Sequence, residues 1–87
     1  MTRTVSLAEM KEGREGIVRE LAGGLAFTRK LEAMGLRLGT KVMKTSGSPL
    51  RGPVTVRAGN MQLALGYGMA SRVMVEIQVE ERGRRDA

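Results

Sequence analysis

Side chains that carry out chemistry in proteins are scarce in this sequence of 87 residues. The chain has no His and no Cys, so it lacks the commonest general base and any thiol nucleophile or disulfide. Its four serines have no His to activate them as nucleophiles. The only Asp, Asp86, lies near the end of the chain, and Glu9, Glu12 and Glu15 form a cluster typical of a solvated surface. We therefore expect no catalytic residues and no enzymatic activity.

The motifs present support neither a phosphate site nor a metal site. Residues 47–52 have the glycine spacing of a phosphate-binding loop, but Pro53 and Val54 follow where the lysine and the hydroxyl residue would stand. The seven methionines could bind a soft metal through their thioethers, yet gap-filling in an aliphatic core accounts for them better. The sequence predicts no metal site, no cofactor and no small-molecule substrate.

The chain is basic, with 15 Lys and Arg against nine Asp and Glu and a net charge of +6. The excess persists when residues 81–87 are left out, so it belongs to the body of the protein. Nucleic acid, anionic lipid and an acidic protein surface would all suit this charge, and a merely solvated surface explains it equally well. Because Phe27 and Tyr67 are the only aromatic residues, base stacking has little support, which argues against nucleic acid.

No segment has the composition of a membrane span or an export signal. The longest apolar runs are a few residues, far short of the roughly 20 that cross a bilayer. Residues 1–6 are basic but lack the apolar stretch of a signal peptide. We expect a soluble, cytoplasmic protein.

Any binding residues must be positioned by short secondary-structure elements, and several of these elements have clear local sequence signals. Ser6 and Glu9 have the spacing of a capping box, which predicts a helical turn near the N-terminus. Strands are predicted near residues 16–21 and 40–45, and a last strand over residues 73–79, where apolar and polar residues alternate. Residues 81–87 are polar, and we expect them to form a disordered tail.

One segment has the pattern of a helix. Phe27, Leu31 and Met34 fall at positions i, i+4 and i+7 and so form one apolar stripe. Gly35 follows at once and suits the left-handed position that ends many helices. Leu36 then stands where an apolar contact often accompanies such a cap.

The clearest local signal is a hairpin around the turn Gly59-Asn60, which is of the two-residue primed kind. Such a turn fixes which residues face each other, and here it places apolar residues opposite apolar residues. The predicted pairs are Ala58 with Met61, Val56 with Leu63 and Val54 with Leu65.

These elements amount to about five short strands, with one short α-helix between the first two. So many strands in a short chain predict a mainly β protein, a small barrel that removes sheet edges and encloses an aliphatic core. We expect a single domain over residues 1–80.

Three segments of this sequence resemble the ferrous iron transport protein A (FeoA) family. Residues 31–42 are similar to its "L-x-x-M-G-L-x-x-G-x-x-V" stretch, and residues 48–56 resemble its "P-L-x-G-P-V-x-V" loop and strand. Residues 63–75 are similar to its closing "ALG-x-GMA-x-x-V-x-V" segment. Together with the opening Ser6-Leu7 and Gly13, the likeness covers roughly residues 5 to 79.

The resemblance implies an SH3-like β-barrel and a small cytoplasmic protein of ferrous iron uptake. Its partner would be a membrane ferrous iron transporter with a cytoplasmic GTPase domain, which the protein would bind and modulate, reaching the membrane only through that partner. Some metal-dependent repressors carry a similar barrel. The alternatives are therefore a metal-sensing regulatory SH3-like domain and a basic barrel that binds nucleic acid. The family has no catalytic residue to carry over.

A partner surface is expected around the end of the helix and the Pro49 loop. Apolar or basic residues stand there in segments that we expect to be exposed, and basic residues on the polar side of the helix could steer an acidic partner. The candidate partner-binding residues are Arg29, Lys30, Leu36, Leu50 and Arg51. An exposed edge strand could also support weak self-association.

Overall fold

The computed structural model describes residues 1–47 and 51–79. Within these residues, six strands and two helices follow one another along the chain. Their order is β1 (Thr2–Ser6), β2 (Glu15–Leu21), α1 (Leu25–Ala33), β3 (Lys41–Ser46), β4 (Val54–Ala58), β5 (Met61–Leu65), α2 (Tyr67–Ala70) and β6 (Val73–Gln78). Residue 80 and the predicted tail, residues 81–87, lie outside the described part.

The strands form one antiparallel sheet in the order β1-β6-β2-β3-β4-β5. The register shifts in β2 between Val18 and Glu20 and in β3 between Lys44 and Ser46, and such irregularities bend a sheet. The fold is mainly β and SH3-like, as predicted. The expected removal of sheet edges is wrong for the described residues, because β1 and β5 each pair on one side only.

The hairpin of β4 and β5 has the predicted register. Ala58 faces Met61, Val56 faces Leu63 and Val54 faces Leu65. The turn residue Gly59 has φ 64°, as a primed turn requires. Turn length and apolar alternation both specify this pairing, so the register could be predicted without knowledge of the rest of the sheet.

Helix α1 presents its predicted stripe to the core. Leu31 is fully buried, and Phe27 and Met34 pack against the core while remaining partly exposed. The helix ends where expected, because Gly35 takes a positive φ of 102°. No helix among residues 1–47 and 51–79 is long and apolar enough to cross a membrane.

The core is aliphatic, as the composition predicts. Its fully buried large side chains come from the N-terminal turn, from α1 and the segment after it, and from five strands. They are Leu7, Leu31, Leu36, Leu65, Val18, Val42, Val56, Val73 and Val75. Two polar residues, Ser6 and Lys44, are buried with them.

Two elements differ from the sequence-based expectation. Strand β1 was not predicted, because its exposed residues Thr2, Arg3 and Thr4 carry no apolar alternation and its pairing with β6 supplies the structure instead. Helix α2 is a single turn over Tyr67–Ala70 that is not among the predicted elements. The predicted N-terminal cap is present, since the Glu9 N–H donates to Ser6 Oγ at 3.2 Å.

Candidate partner-binding site

The predicted binding residues have different environments. Arg29 and Lys30 are exposed on α1, and Arg51 is exposed just before β4. Leu50 lies outside the residues that the structure describes. Leu36 is fully buried, which contradicts the expectation that it lies in an exposed segment.

The burial of Leu36 follows from the way α1 ends. The Gly35 N–H donates to the Glu32 carbonyl at 3.0 Å, and the Leu36 N–H donates to the Leu31 carbonyl at 2.9 Å. This pair of bonds is a Schellman motif, which brings the residue after the glycine back towards the last turn of the helix. Leu36 and Leu31 are therefore buried together, and Leu36 belongs to the core and not to a binding surface.

Arg51 lies over the ring of Tyr67. Its Cζ is 5.6 Å from the ring centroid, within the range of a cation–π contact. Arg51 also has φ 61°, and it is the only residue other than glycine with a positive φ in the described part of the chain. A side chain rarely adopts this conformation without a local reason, and such outliers are concentrated at functional sites. Tyr67 itself is 36% exposed.

A second arginine makes the same kind of contact nearby. Arg72 Cζ lies 5.9 Å from the centroid of the Phe27 ring, so both aromatic residues of the chain have a guanidinium over them. The Arg72 carbonyl accepts from the Ala22 N–H at 2.8 Å, which joins this turn to the segment before α1. Gly23 lies so close to Phe27 that an added Cβ would collide with the ring.

Helix α2 connects these two contacts. Tyr67 is its first residue, and Arg72 follows two positions after its end. Ala70 is fully buried, the Ser71 hydroxyl donates to the Gly68 carbonyl at 2.8 Å, and the Arg72 N–H donates to the Met69 carbonyl at 3.0 Å. The two arginine–aromatic pairs thus flank α2 and are together named the basic–aromatic strip; it consists of the half-buried Phe27 and the exposed Arg51, Tyr67 and Arg72.

Sequence reasoning selected Arg51 but missed the other three members of the strip. The helical periodicity places Phe27 on the apolar stripe, and two aromatic residues in the whole chain give little support for base stacking on Tyr67. Nothing in the sequence links Arg72 to Phe27, since the two are far apart along the chain. The one available signal was the scarcity of aromatic residues, which makes an exposed tyrosine beside basic residues unusual.

The ion pairs of the described residues lie elsewhere. Arg19 contacts Glu76 at 2.6 Å and Lys41 contacts Glu15 at 3.6 Å, both on the sheet. The pKa of Glu76 lies below its ordinary value, chiefly because of the hydrogen bond from Arg19 and secondly because of the one from Thr2. Both pairs line a cleft of about 250 Å³ between β2, β3 and β6. Across residues 1–47 and 51–79, no three acidic residues come together as a metal site.

Comparison with known proteins points to one family. The family model described as FeoA domain matches residues 5–77. A relative from Methanocaldococcus jannaschii, named Fe(2+) transport protein A, is 34% identical over 70 residues, which cover 80% of this chain and 83% of that protein.

Two solved structures show the same fold. The crystal structure of an iron uptake regulatory protein (FeoA) is 38% identical with a TM-score of 0.78, and the match covers 84% of this chain and 96% of that one. A manganese-dependent transcriptional repressor in complex with manganese has a TM-score of 0.77 at 18% identity, covering 86% of this chain and 37% of the repressor. The second likeness concerns the fold alone.

Proposed function

The chain belongs to the FeoA family, a family of ferrous iron transport accessory proteins, and on that premise we propose that it binds the cytoplasmic part of a GTPase-linked membrane iron transporter and modulates its activity. The protein would act in the cytoplasm and reach the membrane only through this partner. Its role would be regulatory and not catalytic.

The observation that carries this proposal is the family match over nearly the whole folded body, residues 5–77. Among the described residues, the cleft on the sheet is lined by ion pairs that already satisfy their charges. A protein of this kind acts through its surface. The exposed cations of α1 and the basic–aromatic strip make an acidic protein surface a suitable partner.

The proposal is tested by titrating the full chain against the cytoplasmic GTPase region of a ferrous iron transporter from the same organism at physiological salt. We expect saturable binding together with a change in the rate of GTP hydrolysis. Binding without a rate change would restrict the role to recruitment. If neither the isolated region nor the complete transporter in detergent binds the protein, the proposed partner is wrong.

A further inference from the structure

We propose that the basic–aromatic strip is the docking surface for a carboxylate-rich segment of the partner protein. The inference rests on the proposed function for the identity of the partner, but the chemistry of the surface can be tested without it. It replaces the surface expected from the sequence, because Leu36 is buried and the strip adds Phe27, Tyr67 and Arg72.

The strip consists of two arginine–aromatic pairs that are joined through α2. Arg51 contacts Tyr67, α2 leads from Tyr67 towards Arg72, and Arg72 contacts Phe27. Lys30 follows Phe27 by three positions on α1, a spacing that places side chains next to each other on a helix surface. Three cations are therefore arranged along two aromatic rings.

The charge of the strip is not balanced by the carboxylates that the structure describes. The ion pairs in residues 1–47 and 51–79 involve Arg19 and Lys41, and neither includes a member of the strip. Glu32, the only carboxylate of α1, lies about 140° around the helix from Phe27 at 3.6 residues per turn. A partner that supplies carboxylates would thus meet cations that form no ion pair among the described residues.

Each of the two arginines contacts an aromatic ring before a partner arrives, with its Cζ 5.6 or 5.9 Å from the ring centroid. A guanidinium stacked on a ring loses side-chain freedom but keeps its N–H donors in the ring plane available for a carboxylate. Such preorganisation lowers the entropy lost on binding, and a two-bond contact between Arg and carboxylate is among the strong charge-assisted hydrogen bonds. The positive φ of Arg51 agrees with this interpretation, because a strained backbone conformation is retained where it orients a side chain for function.

The same geometry favours a polypeptide over a single-stranded nucleic acid. Proteins that bind single strands stack bases on the faces of exposed aromatic rings. Here an arginine already lies over a face of each ring. The uncovered parts of Tyr67 and Phe27 instead offer apolar contact to side chains that flank acidic residues.

The test compares two double variants that remove the same charge. Arg51→Gln with Arg72→Gln removes both stacked guanidiniums. Arg3→Gln with Arg57→Gln is the matched control, because both residues are exposed on strands and lie outside the strip. Thermal unfolding of each variant verifies that the fold is retained. We expect the strip variant to bind the transporter's cytoplasmic region at least about tenfold more weakly, and the control to change affinity by less than about twofold.

A second measurement keeps the inference independent of the proposed function. The full chain is titrated with a hexaglutamate peptide and, separately, with a single-stranded oligonucleotide, and amide chemical shifts are recorded. We expect the peptide to perturb the amides of Phe27, Tyr67 and Arg72 in the native protein and in the control variant but not in the strip variant.

The outcomes separate the two proposals. If the transporter region binds the native protein and the strip variant equally well, the docking surface is wrong while the proposed function stands. If the transporter does not bind at all but the peptide perturbs the strip, the function is wrong and the surface stands. A peptide that leaves the strip unperturbed, or an oligonucleotide that binds it more tightly than the peptide, overturns the inference.

Discussion

Leu36 and Leu38 are two positions apart and have opposite environments. Leu36 is fully buried beneath the end of α1, whereas Leu38 is 62% exposed. Residue type alone does not distinguish them. The difference comes from the Schellman bonds after Gly35, which direct Leu36 inward and let the chain leave the core two residues later.

This contrast gives a stability prediction at the residue scale. Leu36→Ala should lower the free energy of unfolding by about 2–5 kcal/mol, because it opens a cavity in a packed core. Leu38→Ala should change it by no more than about 0.5 kcal/mol, since an exposed side chain has little packing to lose. Urea unfolding of both variants measures these two changes in the free energy of unfolding. Similar losses in the two variants would contradict the burial of Leu36.

At the scale of elements, the end of α1 depends on one glycine. Gly35 has φ 102°, and a Cβ added there would lie 2.8 Å from the terminal methyl of Met61 at the start of β5. The helix end therefore needs the glycine for its backbone conformation, because the Met61 methyl is the end of a flexible, exposed side chain that can move aside.

Gly35→Ala should accordingly destabilise the protein by about 1–3 kcal/mol, measured by urea unfolding. Gly66→Ala is the matched control, because Gly66 has φ −62° and ψ 155°, which alanine adopts without strain, and nothing lies near its Cβ position. The control should lose much less stability. If Gly35→Ala is as stable as the control, the positive φ at Gly35 is not a constraint on the fold.

At the scale of the whole molecule, Lys44 joins distant parts of the chain. It is 5% exposed on β3, and its Nζ donates to the Ala8 carbonyl at 2.9 Å in the N-terminal turn. Next to it, the Gly47 N–H donates to Glu12 Oε2 at 3.2 Å. Desolvation by burial lowers the pKa of Lys44, and the nearby Glu12 carboxylate opposes this only in part.

The lowered pKa gives a pH dependence with a definite sign. Between the folded pKa and the ordinary value of 10.5, the unfolded chain holds the Lys44 proton more tightly than the folded protein does. The contribution of Lys44 to the free energy of unfolding must therefore rise as the pH increases through that window. We expect the native protein to gain stability relative to Lys44→Met when urea unfolding is repeated from pH 7 towards pH 10.5. A difference in the free energy of unfolding between the two proteins that does not change with pH would contradict this prediction.

The features predicted correctly from the sequence are local. The register of the β4–β5 hairpin, the cap at Ser6 and the end of α1 at Gly35 each depend on a few neighbouring residues and on periods of two or 3.6. The aliphatic core follows from composition. The family likeness adds the SH3-like fold and the link to ferrous iron transport.

The sequence by itself thus determined local conformation, the nature of the core and the family. Only the tertiary structure decided that Thr2–Ser6 is a strand, because β6 supplies its hydrogen bonds from the far end of the chain. It also decided that Leu36 is buried and that Arg72 lies over Phe27. These features depend on contacts between segments distant in sequence, and no local pattern encodes which distant segments meet when the sheet bends around its core.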